Sequence, residues 1–422
     1  MSKGIQGIQG VRGIMGIPKI MGVDLPPQWK KRDVEVASGE ILQTIASGQD
    51  CSILISDGLV YATGGNYVYG VLGRGTLYSN SPYKPRAVFT TTSLSGKTVE
   101  KVVARYNGVS AIDSDGLLHS WGEMYGPPSL LPVLFNGGSL SGKTIIDVDR
   151  GNLHLIALDS DGNVHCVGYN YNGQLGDGTT TYTMTPQLVD TGASSSLNGK
   201  TVVAVSAAQH SCFAIDSDGL IHAWGEGSVG QLGDGTATER HLPVLVDTSG
   251  VLNGKKIVQI TGGYDSSLCL DSDGIVYGWG RNSDYAIGDG TFTQRNSPVA
   301  TDITNLSGKT VIAIQTHRYA TTFLCGDGSA YACGYGSYGQ LGTGLTTNEA
   351  RPTEMLGSSG NPDPTSSING KTVVEIACGY YNTIVKCSDG TWHGCGYNQF
   401  GAIGDGTQVK RLKMVNLDTS GM

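Results

Sequence analysis

Residues 137–144 read GGSLSGKT, and Gly137, Gly142, Lys143 and Thr144 fall at the positions of a phosphate-binding loop. Such a loop follows a strand and opens a helix whose first N–H groups hold the phosphates. Here TIIDVD follows, an apolar alternation that predicts a strand. SGKT, NGKT or NGKK recurs five more times without the first glycine, which reads as a repeated turn. GEGSVG (225–230) and GYGSYG (334–339) match the dinucleotide pattern, yet both are slices of one repeated loop with no βαβ unit around them. DSDG at 113–116, 159–162, 216–219 and 271–274 pairs carboxylates next to glycine, a hint of calcium. A calcium site needs six or more oxygens, and a type I′ Asp-Gly turn accounts for the same residues without a metal. GDGT, at Gly176, Gly233, Gly288 and Gly404, reads the same way. The eight histidines do not cluster at ligand spacing, and no Gly-x-Ser-x-Gly elbow occurs. The expectation is a protein that is not an enzyme, with no catalytic residues, no cofactor and no metal.

The elements behind these motifs are repeats. The glycine of SDG or a close form falls at 58, 116, 162, 219, 274, 328 and 390, and that of SGKT at 96, 142, 199, 254, 308 and 370. Each of those six SGKT glycines precedes the next SDG glycine by 20 residues, and ASGEILQTIASG supplies a seventh copy near the start. Residues 198–247 show the unit: TVVAVSA, CFAI, IHAWG and HLPVLVD as four short strands, with DSDG and a glycine loop between them. The predicted fold class is all-β, a seven-bladed β-propeller of four-stranded antiparallel blades over residues 34–422, preceded by an extended arm over 1–33. Pairing of segments near Val34–Ile45 and Leu412–Leu417 is expected to close the ring, which removes an open sheet edge.

IASGQDCSILISDGLVYATGG and GYNYNGQLGDGT resemble the regulator-of-chromosome-condensation repeat family. The resemblance covers residues 34–422 and implies a seven-bladed propeller. It says less about function, because the family includes exchange factors for small GTPases, inhibitors of β-lactamase and plain binding modules. The family's frequent histidine occurs only as His154; its equivalents are Cys51, Val109, Ser211, Ser266, Ala320 and Asn382. The second repeat reads GEMYGPPSLLP in place of the Gly-Gln-Leu-Gly loop. No inserted hairpin resembles the family's GTPase-engaging wedge, which argues against exchange activity.

Antiparallel strands put the SGKT and SDG turns on one face of the ring. The other face takes the first-to-second strand turns, which include Tyr106, Tyr264, Tyr319, Tyr380 and Tyr381, and the long loops, which include Tyr69, Tyr285, Tyr338 and Phe400. Tyrosine with asparagine on a rim suits recognition of a protein, and aromatic rings also stack on sugars. These nine residues form the candidate binding face.

The arm differs. Gly4, Gly7, Gly10, Gly13 and Gly16 keep a collagen period, and Ile5, Ile8, Val11, Ile14 and Ile17 form an apolar ridge in a three-per-turn helix. Such an exposed ridge calls for a partner. Gly-x-y runs of this kind resemble the N-termini of bacteriophage tail-fibre and head-fibre proteins. That resemblance implies a structural protein displayed on a virion, held to other virion proteins through residues 1–33, present in several copies, and meeting a host-surface glycan or protein. A soluble inhibitor or adaptor that grips a protein through the Tyr-rich face is the alternative. The net charge of −8 argues against a nucleic-acid partner. No run reaches the roughly 18 apolar residues of a membrane span. The start has no apolar core of a signal peptide, and nine scattered cysteines without CxxC suit buried free thiols, so assembly in a host cytoplasm is expected.

Overall fold

The computed structural model describes residues 43–65, 69–75, 83–88, 92–358 and 361–422. The arm residues Gly4 to Ile17, and the boundary expected near residue 33, lie outside them. The described chain folds into seven four-stranded antiparallel sheets, each built from consecutive strands in the order first to fourth. The first strands are Ile45–Ser47, Val99–Arg105, Ile145–Arg150, Val202–Ala207, Ile257–Gly262, Val311–Thr316 and Val373–Cys378. Each touches the first strand of the next sheet, and the seventh touches the first, so the sheets form a closed seven-bladed propeller.

Short apolar runs bounded by glycine turns explain why these segments are strands. The second and third strands of most blades are buried throughout, as in SCFAID and IHAWG, whereas the fourth strands are half-exposed. The core therefore lies between neighbouring blades, with Trp121, Trp224 and Trp279 among its largest buried side chains. All nine cysteines are buried and free.

The turns on one face account for the 20-residue repeat. In six blades the SGKT lysine pairs with an aspartate of the following turn: Lys97–Asp115, Lys143–Asp161, Lys200–Asp218, Lys255–Asp273, Lys309–Asp327 and Lys371–Asp389. Lys143, the lysine of the phosphate-loop match, thus answers Asp161 at 2.9 Å and Asp159 at 3.3 Å, and a strand follows it. The Asp-Gly turns differ from the type I′ expectation. Only Asp57 and Gly58 both have positive φ, 49° and 76°. In the four DSDG turns only the glycine does, and the first aspartate folds over the turn. Asp216 accepts the N–H groups of Asp218 and Leu220 at 3.0 and 2.9 Å. A three-residue loop with a left-handed glycine is the hairpin this produces.

Among the described residues the ring closes through side chains and loop contacts. Ile45–Ser47 pairs inside the first blade and Arg411–Asn416 inside the seventh; residues 34–42 of the expected seam lie outside the described residues. Glu375 accepts from the Thr44 hydroxyl at 2.6 Å and from the Ile45 N–H at 2.9 Å. Ser47 donates to Asn382, and Thr63 to the Gly401 carbonyl.

Candidate functional site

Seen in isolation, one side-chain set looks catalytic. His119, His165 and His222 each hold a serine hydroxyl on Nδ1 (Ser93, Ser139, Ser196; 2.7–2.8 Å) and an aspartate on Nε2 (Asp113, Asp159, Asp216; 3.0–3.2 Å). His393 repeats the motif with Ser367 and Thr391. The imidazoles are buried, and each aspartate also caps its own turn. Repetition in four blades, with the serine on Nδ1 each time and an aspartate on Nε2 in three of them, marks a framework that ties the SGKT turn to the third strand. Sequence reasoning missed it, although the Ser–His separation is 26 residues in every copy.

Near the ring's centre, Arg105 reaches from the second blade to the carbonyls of Gly262 and Gly263 in the fifth, at 2.5 and 3.1 Å. His154 is buried there, and desolvation, with repulsion from His210, Arg105 and Arg150 adding to it, lowers its pKa to about 3. His317 shifts in the same direction for the same first reason. Both rings are neutral at physiological pH, so neither is tuned as a general base.

On the face opposite the Lys–Asp pairs, the sheet register brings two kinds of loop together. The residue just past the glycine that ends each third strand donates its N–H to the first-to-second strand turn. The seven pairs are Gly65 to Asp50, Glu123 to Asn107, Tyr169 to Leu153, Glu226 to His210, Arg281 to Asp265, Tyr335 to Tyr319 and Tyr397 to Tyr381, at 2.8–3.0 Å. The glycine is required by this close approach. At Gly334, φ is 103° and a Cβ would stand 2.2 Å from the Tyr319 carbonyl oxygen. Adjacent turns also bond to each other: Gln49 N–H reaches the Tyr106 carbonyl, and Tyr380 N–H the Gly48 carbonyl. The same kind of bond runs from Asn152 to Gln209 and from Gln209 to Gly263, so several neighbouring turns of this face are tied together.

Seven of the nine candidate face residues join one run of aromatic contacts. Centroid distances are 5.7 Å for Tyr264–Tyr319, 6.3 Å for Tyr319–Tyr335, 6.0 Å for Tyr335–Tyr338 and 4.4 Å for Tyr338–Tyr381. The run continues through Tyr381–Tyr397 and Tyr397–Phe400, and through Tyr381–Tyr380 to Tyr106. Tyr285 lies apart, edge-on to Phe292 at 6.4 Å, and Tyr69 is outside the run among the described residues. All nine are half-buried, and in the run each ring covers part of its neighbour. Tyr106 and Tyr285 hold positive φ values of 50° and 65°, rare for bulky residues.

Arg318 sits at the centre of this run. Its guanidinium carbon lies 4.0 Å from the Tyr380 centroid, 4.6 Å from Tyr319, 5.3 Å from Tyr381 and 5.7 Å from Tyr264. It also donates to the Tyr381 hydroxyl. Four rings around one cation give a rigid, pre-ordered surface. Burial pushes the Tyr106 and Tyr380 hydroxyls well above their ordinary pKa. It also raises Asp50 and Asp265, at matching turn positions, to about 6. Tyr335 and Tyr397 were absent from the sequence-based set, as was a second group formed by Tyr125, Tyr169, Tyr171 and Tyr182. The signal for Tyr169, Tyr335 and Tyr397 was their shared place after the third-strand glycine.

No helix among the described residues is long and apolar enough to cross a membrane. The profile of the RCC1-like domain family matches residues 13–362. The chain is 28% identical to the human E3 ubiquitin-protein ligase HERC2 over 360 residues, which is 82% of this chain and 7% of HERC2. It is 25% identical to the ultraviolet-B receptor UVR8 of Arabidopsis thaliana over 250 residues, 59% of this chain and 52% of UVR8. The chain therefore spans only part of either relative. Two solved structures share the fold: human WBSCR16, with TM-score 0.67, 21% identity, and 81% and 85% of the two chains covered; and Prp20p of Saccharomyces cerevisiae, with TM-score 0.66, 20% identity, and 79% and 80% covered. The family match spans most of the chain and agrees with the seven blades: this protein belongs to the RCC1-like domain family.

Proposed function

We propose that this propeller is a non-enzymatic protein-interaction module that grips its partner through the aromatic face centred on Arg318. The observation that carries the proposal is the box of Tyr264, Tyr319, Tyr380 and Tyr381 around that guanidinium. Tyrosine and arginine dominate the energetic centres of protein interfaces, and here their rotamers are ordered before binding, which lowers the entropy lost on association. Prp20p, which shares the fold, has binding properties toward Gsp1p and histones, and has been solved with Kap60. Those relatives support a protein partner in general.

We further propose that the protein is displayed on a bacteriophage virion and tethered by residues 1–33. The Gly-x-y period and apolar ridge of the arm support this placement. The face would then point toward a second protein, on the particle or on the host surface. Mass spectrometry of amine-cross-linked, purified particles tests this reading. The expected result is this chain among the particle proteins, with links from Lys3, Lys19, Lys30 or Lys31 to another virion protein. Its absence from particles contradicts the placement and leaves the interaction face to be tested by itself.

A further inference from the structure

The second aromatic group lies on the same face but takes no part in the run around Arg318, and its rings are more open. Centroids stand 4.3 Å apart for Tyr125–Tyr182, 5.7 Å for Tyr125–Tyr169 and 5.3 Å for Tyr169–Tyr171. The GEMYGPPSLLP loop of the second blade builds one edge. It sets Tyr125 against Tyr182 of the third blade, and it packs Gly126 so tightly on Met184 that a Cβ there would stand 2.8 Å from the Met184 methyl. Tyr171 is 67% exposed and Tyr182 50%. Large exposed side chains gathered in one patch mark a site of interaction.

Charge restricts the occupant. Glu123, Tyr169 and Glu226 hold one register position, just past the third-strand glycine, in three successive blades, so Tyr169 stands between two glutamates. Each carboxylate takes a neutral donor, Glu123 the Asn107 side-chain amide and Glu226 the Ser228 hydroxyl, both at 3.0 Å. The buried Arg150 guanidinium bonds the Glu123 main-chain carbonyl, and among the described residues neither carboxylate has an ion-pair partner. Burial, then Tyr171, Tyr125 and the Glu226 carboxylate, hold the Tyr169 hydroxyl above its ordinary pKa, which puts Glu226 within electrostatic reach of the rings. The Arg318 box is the contrast, because there the chain supplies the cation itself. Here it supplies rings and carboxylates, and among the described residues no lysine or arginine stands over any of the four rings.

We infer that this patch takes a basic side chain of the protein partner, stacked on the exposed Tyr171 and Tyr182 rings and answered by Glu123 or Glu226. A guanidinium or ammonium is attracted by the ring faces and by the carboxylates at once. An acidic side chain is repelled by the same carboxylates, and a neutral sugar stacks on the rings but leaves the charge unanswered. The inference rests on the protein-interaction reading and names a second anchor, separate from Arg318.

NMR of the full chain labelled with ¹³C-tyrosine, at pH 7.5, tests it through the ring signals of Tyr171 and Tyr182. The probes are the peptide acetyl-Gly-Arg-Gly-Arg-Gly-amide, its counterparts with serine or glutamate in place of arginine, and N-acetylglucosamine. The arginine peptide should shift both signals saturably, with the other three probes at least tenfold weaker. Tyr171→Ala should weaken its binding about tenfold, read at Tyr182, and Glu226→Gln about threefold, while the remaining tyrosine signals stay in place. Tyr380→Ala, in the Arg318 box, should leave it unchanged. Equal response to the serine or glutamate peptide, tighter binding of N-acetylglucosamine, no response to any probe, undiminished binding in Tyr171→Ala or Glu226→Gln, or an equal loss in Tyr380→Ala overturns the inference. The natural partner is not needed, so failure here leaves the Arg318 face to stand or fall by its own test.

Discussion

The Glu375 carboxylate, in the seventh blade, accepts the backbone N–H of Ile45, in the first, at 2.9 Å. Asp147 does the same for the N–H of Val205, and Gln259 for that of Ile314. These three residues share one register position, so every second blade pins the next one. Glu375 is the copy that closes the ring.

Replacing Glu375 with Ala leaves the Ile45 N–H and Thr44 without their partner and is expected to cost about 2–4 kcal/mol in denaturant unfolding. Glu375→Gln isolates the charge. Burial raises Glu375 to about 7 from an ordinary 4.5. The folded state thus holds this proton more tightly than the unfolded chain. That contribution is full below pH 4.5 and is lost as pH rises to 7. The melting temperature of the wild type relative to Glu375→Gln should therefore fall between pH 4.5 and 7 and level off above. A difference constant across that range would show that Glu375 is ionised throughout.

A second set of links ties the third strand of six blades to the long loop of the preceding blade. The indole N–H of Trp224 donates to the Gln174 carbonyl at 3.0 Å, that of Trp279 to Gln231 at 2.9 Å and that of Trp121 to Val71 at 2.9 Å. Thr63, Cys333 and Cys395 occupy the same register position in other blades and donate to Gly401, Ala286 and Gln340. Only the third blade has a residue without a donor there, Val167, and the blade before it is the one that reads GEMYGPPSLLP. Trp224→Phe is expected to cost about 2–4 kcal/mol, from a lost buried hydrogen bond and a small cavity. Chemical denaturation measures this; a cost below about 0.5 kcal/mol would assign the tryptophan to packing alone.

The three Ser–His–Asp sets and the Ser367–His393–Thr391 set predict a negative result with a clear reading. A fluorophosphonate probe should leave Ser93, Ser139, Ser196 and Ser367 unlabelled, as read by peptide mass spectrometry. His222→Ala should lower the melting temperature, since Asp216 and Ser196 lose their shared partner in the interior. Labelling of any of the four serines, lost on replacing its histidine, would instead make that set a nucleophile.

Much of the fold was legible because its determinants are local. The 20-residue spacing is a Lys–Asp pair across two turns, as in Lys200 and Asp218, and the Asp-Gly pairs mark the hairpins. Closure was less legible, because Glu375 acts on a residue 330 positions away and no motif announces it. The candidate face was partly visible. Strand order put Tyr264, Tyr319, Tyr380 and Tyr381 on one side, but that they converge on Arg318 depends on contacts between turns of three blades far apart in sequence. Tyr335 and Tyr397 were not singled out, because their closeness to Tyr319 and Tyr381 depends on the third-strand glycines Gly334 and Gly396.

The central claim is that the Arg318 face, and not the Lys–Asp face, recognises a protein. Affinity for a partner captured by cross-linking measures it directly, comparing the full chain with Tyr380→Ala, Arg318→Ala and, on the opposite face, Lys200→Ala, each first checked for an intact melt. The two aromatic-face substitutions should each weaken binding by about 30-fold, the size of a 2 kcal/mol energetic centre, while Lys200→Ala leaves it unchanged. Undiminished affinity of Tyr380→Ala and Arg318→Ala, or a loss confined to Lys200→Ala, would contradict the account.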